Sequence, residues 1–379
     1  MKKLLMTAST WSHIRNFHLP YLREFQRLGW ETHVGCRGIP TDTPYIDEVI
    51  ELPFEKRMRS RENLRVTRLL SGKIGTEGYD LIITHTSLAA FFTRLALKGG
   101  RPVKTIYICH GYLFDGDTSF LKRQLLLNAE RLVAPQTDLL LTMNAWDCEA
   151  AQKYRLGREI AMIPGMGVDF GKLDRATPED GIRLRRKLGL TREQFVLLYA
   201  AEFSPRKNQH VLIEAMPRLP ERAVLVLCGS GVELEACRAL AERLGVGRRV
   251  LFPGQIADMA PWYRMADASV SASRSEGLPF NVMEAMYCGV PVVASAVKGH
   301  VDLIEDGATG LLYPCSDAEA CAEQLWRMME GTPLCDRLRA GAQAKASVER
   351  YSLDAVLPQV MERYLSLIEE KENLPLLAQ

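Results

Sequence analysis

The chain has 379 residues, of which 25% are charged and 47% apolar, and its formal net charge is +2 at pH 7. That length exceeds what one hydrophobic core serves, so two domains are expected, and the composition excludes a disordered or fibrous chain. The near-balanced charge and the lack of any recognisable nucleic-acid motif exclude a nucleic-acid partner.

The opening Met1-Lys2-Lys3 leads into an apolar stretch that stops at Thr7 and Ser9, too soon for a signal peptide, so it reads as a first buried strand. Further strand candidates follow at 32–36, 80–84, 104–109, 138–143 and 160–163, after the first at 3–8, with helical spacing between them at 18–29 and 86–98. Such alternation predicts a parallel sheet wrapped by helices. From Pro164-Gly165-Met166-Gly167-Val168-Asp169 to Pro178-Glu179-Asp180 the chain is rich in breakers, which places a linker there and a boundary near 165–175. A second α/β series begins at 195–201 and continues at 223–228, 249–252, 268–272, 291–295 and 310–313. The last helix candidate, 354–370, sets Val356, Val360, Tyr364, Leu367 and Ile368 on one stripe that a neighbour must cover. The expected division is therefore 1–168 and 169–353, with 354–379 as a further helical segment.

Nine cysteines, odd in number and without CxxC spacing, predict reduced buried thiols in a cytoplasmic protein, with neither a disulfide framework nor a zinc site. No uncharged apolar run of about 18 residues occurs, so no transmembrane helix is expected and any membrane contact is peripheral. The basic stretch Lys56, Arg57, Arg59, Arg61, Arg65 and Arg68 reads either as solvated surface or as a patch for anionic lipid headgroups.

Ligands of open α/β sheets bind beyond the carboxyl ends of strands, so chemistry is sought there. After the strand at 268–272 come Glu276, Gly277, Leu278, Pro279 and Phe280, then Glu284 just over one turn into a helix. A helix entering at Pro279 aims backbone N–H groups at an anion, and Glu284 can accept from sugar hydroxyls, a combination suited to a nucleotide diphosphate sugar. Two carboxylates eight positions apart are in themselves commonplace, and solvated helix glutamates are the bland alternative. Gly229 and Gly231 follow the strand at 223–228, where a glycine turn is either phosphate-cradling or simple geometry. Arg206 and Lys207 follow the strand at 195–201 and can neutralise a departing diphosphate. His110 follows the strand at 104–109, and His13 and Arg15 follow the first strand; His18 falls inside a helical pattern and reads as structural. Asp115-Gly116-Asp117 reads as a turn, so no metal and no cofactor are expected.

Taken together, Glu276-Gly277-Leu278-Pro279 through Glu284-Ala285-Met286, Lys207-Asn208, Gly229-Ser230-Gly231, the segment from Ile163 to Asp169 and His110-Gly111 resemble the retaining glycosyltransferases of family 4. The resemblance spans nearly the whole chain, and the stretches 107–112 and 203–209 are similar to the branch that builds capsular and exopolysaccharide units. It implies the GT-B fold: two facing Rossmann-like domains with a central cleft, an N-terminal acceptor domain to which the last helix returns, and a C-terminal nucleotide-sugar domain. It further implies that Glu284 holds the ribose, Lys207 the diphosphate, Glu276 and the amides of 277–280 the sugar and its phosphate, and that His110 reaches the sugar. UDP is the implied nucleotide, and a glycan or polyprenyl-diphosphate-linked sugar at the inner membrane face is the implied acceptor. Many relatives carry arginine where this chain has Glu202, and Arg206 is the candidate replacement. A sugar nucleotide 2-epimerase and a non-catalytic nucleotide-sugar binder share this architecture and remain alternatives.

Overall fold

A computed structural model describes residues 1–373 except 39–41, 56, 57, 59, 101, 117 and 332. It divides into two compact units, Met1–Gly167 with Asp354–Gln379, and Val168–Leu353.

The first unit is built on seven parallel strands: β1 (Lys3–Thr10), β2 (Glu31–Arg37), β3 (Glu48–Glu51), β4 (Leu81–His85), β5 (Lys104–Cys109), β6 (Leu139–Thr142) and β7 (Glu159–Met162), in the order β3-β2-β1-β4-β5-β6-β7. The central strands are almost wholly buried, which is why they read as continuous apolar runs in the sequence. β3 has no counterpart among the sequence candidates, because Glu48-Val49-Ile50-Glu51 is a short edge strand with carboxylates at both ends and no fully buried residue. The first strand runs past its expected end to Thr10, and the polar segment after it, which carries His13 and Arg15, is the helix Trp11–Phe17. Thr86 hydroxyl contacts with the Ser9 hydroxyl at 2.6 Å and amide at 3.2 Å hold that extension in place.

Ser60 opens the helix Arg61–Glu77 by accepting from the Glu62 amide, and Gly78 ends it. Its buried face carries Asn63, Val66, Leu70 and Ile74, leaving Arg61, Arg65 and Arg68 on the exposed face; Lys56, Arg57 and Arg59 lie outside the described residues. The helix Leu353–Asn373 buries the expected stripe of Val356, Val360, Tyr364, Leu367 and Ile368, with Tyr364 stacked against Phe25 of the helix Leu19–Arg27. Arg94 is fully buried and satisfied three ways, by Glu130 at 2.8 Å, by the Ala90 carbonyl and Thr137, and by the Tyr107 ring.

The second unit has six parallel strands: β8 (Phe195–Ala200), β9 (Ala223–Cys228), β10 (Val250–Gly254), β11 (Ala268–Ser271), β12 (Val292–Ser295) and β13 (Leu311–Tyr313), ordered β10-β9-β8-β11-β12-β13. Apolar clusters cover both faces of this sheet, one around Leu197, Leu225 and Val270, the other around Leu198, Val226 and Met283. Two-sided burial is what a parallel sheet between helix layers requires. The breaker-rich stretch is ordered: Val168 pairs with Ser352, and Thr177 with Asp180 forms a capping box at the helix Pro178–Lys187.

In each sheet the strand order reverses once, between β1 and β4 and between β8 and β11. The carboxyl ends of strands at such a reversal are where open α/β sheets bind their ligands.

Candidate active site

In the second unit the loop after β8 forms a tight turn, with the amides of Lys207 and Asn208 donating to the Ser204 carbonyl at 3.0 and 3.2 Å. Tyr199 anchors it from within the strand, its hydroxyl donating to the Lys207 carbonyl at 3.0 Å and meeting Ser273 Oγ at 2.9 Å. The loop after β11 is tied to the same turn, since the Arg274 amide donates to the Arg206 carbonyl at 2.8 Å. The two loops of the reversal are thereby held together, and three of the sequence candidates meet. Lys207 Nζ lies 2.5 Å from Glu276 Oε1, and Arg206 Nη1 lies 2.8 Å from Oε2 while also donating to the Ser275 carbonyl at 3.0 Å.

Glu276 is 7% exposed at the side chain and Lys207 13%, whereas Arg206 is 48% exposed. Burial alone would push the Glu276 carboxyl up, but Lys207 and then Arg206 outweigh it and hold that group well below the usual carboxylate range. Lys207 moves down from its ordinary value, with desolvation ahead of the opposing pull of Glu276. The result is an ionised, buried carboxylate with one cation enclosed beside it and a second at the solvent edge.

Glu284 lies on the helix Phe280–Tyr287, where the Tyr263 hydroxyl donates to its Oε2 at 2.8 Å. Burial raises its carboxyl above the ordinary value, against the Tyr263 bond, which lowers it. Pro279 is the N-cap of this helix rather than a residue of its first turn, and no side chain caps it. Gly277 and Pro279 are buried, while Leu278 and Phe280 pack half-buried against the core cluster on that face.

Gly229 and Gly231 have positive φ of 145° and 151°, and a Cβ on them would come within 2.0 Å of the Ala201 carbonyl oxygen and 2.2 Å of that of Phe203. Close packing of the β9 turn on the loop after β8 therefore demands glycine irrespective of any ligand.

Sequence reasoning passed over Tyr199, Ser273, Tyr263, Gly299 and His300. His300 is fully buried behind the site, with Nε2 3.0 Å from Ser271 Oγ and Nδ1 2.7 Å from the Ser295 carbonyl. A Cβ on Gly299 would lie 2.9 Å from Glu276 Cβ, so this segment backs the glutamate directly. The available signal was position: Lys298-Gly299-His300 follows β12 as the other candidates follow their strands.

In the first unit, His85 ends β4, His110 follows β5, His13 lies in the helix Trp11–Phe17, and His18 lies between that helix and Leu19–Arg27. His13 Nε2 is 3.3 Å from His110 Nε2, which is 3.1 Å from His85 Nδ1, and the His18 and His85 rings stack at 3.6 Å. His18, read from the sequence as structural, is fully buried, and neither ring nitrogen has a hydrogen-bond partner among the described residues. His85 Nε2 likewise has no partner among the described residues, and a buried polar atom left unpaired costs about 1–3 kcal/mol. Burial lowers His13 to about 4, and pushes His18, His85 and His110 well below the ordinary histidine value. Thr86, next to His85, has φ 61° and ψ 138°, a strained conformation for a β-branched residue beside a candidate site. Arg15 is exposed. Asp115 accepts from Thr118 Oγ1 at 2.7 Å and Asp117 lies outside the described residues.

Two family models match the chain, "Glycosyltransferase Family 4" over residues 21–170 and "Glycosyl transferases group 1" over 181–345. The Bacillus subtilis (strain 168) protein named "Putative glycosyltransferase EpsD" is 33% identical over 374 residues, covering 97% of each chain. A D-inositol 3-phosphate glycosyltransferase of Streptomyces bingchenggensis (strain BCW-1) is 30% identical over 76% of this chain and 66% of its own. Among solved structures, Anabaena Alr3699/HepE in complex with UDP and glucose superimposes with a TM-score of 0.79 at 23% identity, covering 97% of this chain and 100% of that one. Sucrose-phosphate synthase of Thermosynechococcus elongatus gives 0.81 at 21% identity, over 98% and 100%.

Proposed function

The chain belongs to glycosyltransferase family 4 and has the GT-B class of fold, and from that premise we propose that it transfers a sugar, with retention, from a UDP-sugar to a hydroxyl of a glycan or polyprenyl-diphosphate-linked acceptor in polysaccharide synthesis. What carries the reading is the buried Glu276 carboxylate held by Lys207 and Arg206 at the β8/β11 reversal. A cation pair already held in place by Glu276, one member enclosed and the other at the solvent edge, needs little reorganisation when negative charge grows on a leaving diphosphate, and such stabilisation is usually the largest catalytic term. Uridine diphosphate is favoured because the solved Anabaena neighbour holds it, and the exopolysaccharide setting because of the resemblance on 107–112 and 203–209.

In the proposed step the acceptor hydroxyl oxygen bonds to the anomeric carbon from the face the diphosphate leaves. The bond to the phosphate oxygen breaks with its electron pair going to the diphosphate, and the hydroxyl proton passes to that leaving oxygen. Lys207 and Arg206 meet the new charge, Glu276 orients the sugar and keeps both cations in place, and Glu284 accepts from the ribose hydroxyls. Gly229, Gly231 and the segment from Gly277 to Phe280 shape the donor pocket. His110 is assigned a part in sugar transfer, and His13 and Arg15 one in acceptor binding. Metal is assigned no part in this step. The acceptor places the enzyme at the inner face of the cell membrane, with the basic segment from Lys56 to Arg68 as its contact; no helix among the described residues is long and apolar enough to cross it.

Thermal-shift titration with nucleotide diphosphate sugars tests the donor assignment. The correct donor stabilises the fold by mass action, and Glu284→Ala weakens its binding by about 1.5–3 kcal/mol, the size of a hydrogen bond to a charged group. A donor that stabilises the variant as well as the natural chain defeats the assignment of Glu284. Arg206→Ala kinetics that leave donor use unchanged defeat the replacement of the arginine missing at Glu202.

A further inference from the structure

The first unit gathers His13, His18, His85 and His110, each offering a ring nitrogen, with all four ligand atoms within 4.8 Å of one another. It is the one grouping of three or more histidine, cysteine or carboxylate ligands of this kind among the described residues. They come from three separate stretches of chain, and two of these, His85 and His110, stand at the ends of neighbouring strands beside the β1/β4 reversal.

We propose that these four histidines form a binding site for a divalent d-block cation of the zinc class. A tetrahedral site with bonds of about 2.0–2.1 Å has nitrogen–nitrogen edges of about 3.4 Å. The His13–His110 and His85–His110 separations, 3.3 and 3.1 Å, already have that length. Closing the remaining separations from at most 4.8 Å takes small ring movements, chiefly a splaying of the stacked His18 and His85 rings. His18 adds a separate observation, because a fully buried imidazole with neither nitrogen partnered among the described residues has a lone pair there for a cation to take.

Ligand chemistry selects the ion. Four imidazoles without carboxylate or thiolate suit zinc, copper, nickel or cobalt and give magnesium and calcium nothing they favour. The outer nitrogen of a metal-bound histidine is normally held by a carbonyl or carboxylate, and His85 Nε2 lacks such a partner, so the site is exchangeable rather than a locked structural centre. An ion there occupies His110, so metal loading and any part of His110 in sugar transfer exclude each other. The metal site itself does not depend on the donor assignment, which rests on second-unit residues.

The test uses the full chain with any histidine tag removed, stripped of metal and then dialysed against Zn²⁺ or Co²⁺ alone, with bound metal counted by mass spectrometry and the cobalt form read by visible absorption. The expected result is one ion per chain, cobalt bands of a tetrahedral nitrogen site without thiolate charge transfer, and no displacement by excess Mg²⁺. His18→Leu and, separately, the half-buried His13→Ala each weaken uptake at least tenfold, while His210→Ala in the other unit does not; circular dichroism verifies that each variant is folded. No stoichiometric uptake by the natural chain, thiolate bands, or uptake unchanged in whichever of His18→Leu and His13→Ala folds overturns the proposal. UDP binding measured on the same samples reports separately on the donor assignment.

Discussion

Glu276 shows how much one carboxylate can depend on its neighbours. Its burial would favour the neutral acid, yet Lys207 and Arg206 keep it ionised, so its charge contributes to stability only while that pairing lasts. The folded value is depressed, so this contribution is complete above the unfolded carboxylate value near 4.5 and is lost as pH falls below it toward the folded value. Glu276→Gln leaves the 13%-exposed Lys207 ammonium without its partner, a loss of up to about 3–5 kcal/mol at neutral pH. Denaturant titrations should find that difference at pH 7 and see it shrink below pH 4; a difference independent of pH would separate the stability effect from ionisation. The same variant should lower kcat/KM by about 100-fold or more if the cations are aimed at the leaving group. At this scale Glu276 and Lys207 were legible because they are charged residues in loops that follow apolar strands, and Glu284 because it lies in the first helix after such a loop. Tyr199 and Tyr263 were not, since a buried tyrosine among apolar neighbours looks like core until its partner is known; His300 carried only the weaker signal of its position after β12.

Elements carry two further predictions. Arg94 and Glu130 lie on the helices Ser87–Ala96 and Phe120–Val133, and removing the carboxylate by Glu130→Ala strands a fully buried guanidinium. Chemical unfolding should show a loss of about 3–5 kcal/mol in the first unit, and the joint change with Arg94→Met should recover much of it. A loss that the second change does not relieve would mean packing, rather than charge, dominates there. Gly231→Ala adds about 1–3 kcal/mol of backbone strain and also drives a Cβ into the Phe203 carbonyl, so the second unit should melt lower even without donor. An unshifted melt with impaired donor binding would assign the glycine to the ligand instead. Strand positions were readable because two-sided burial writes long apolar runs. β3 escaped because an edge strand needs no such run, and the helix at Trp11–Phe17 escaped because contacts from Thr86, distant in sequence, set where β1 ends.

The whole molecule bears on which reaction follows donor binding. A transferase given its donor without acceptor should release sugar only by slow hydrolysis, whereas an epimerase accumulates isomerised donor; chromatography of such an incubation, with and without a glycan or lipid-linked acceptor, decides between them. Isomerised product would retire the transferase proposal while leaving the nucleotide-sugar site standing. The two α/β series, the apolar stripe of the last helix and the polar residues after strands were determined by sequence alone, because periodicity and the burial demands of a parallel sheet act on local stretches of chain. Which loops meet was decided only in three dimensions. The reversal of strand order brings Lys207 and Arg206 onto Glu276 from 69 and 70 positions away, and gathers His13, His18, His85 and His110 from segments up to 97 positions apart. No local pattern records such a meeting, since the distance between two side chains at a strand crossover is set by sheet order and not by their spacing along the chain.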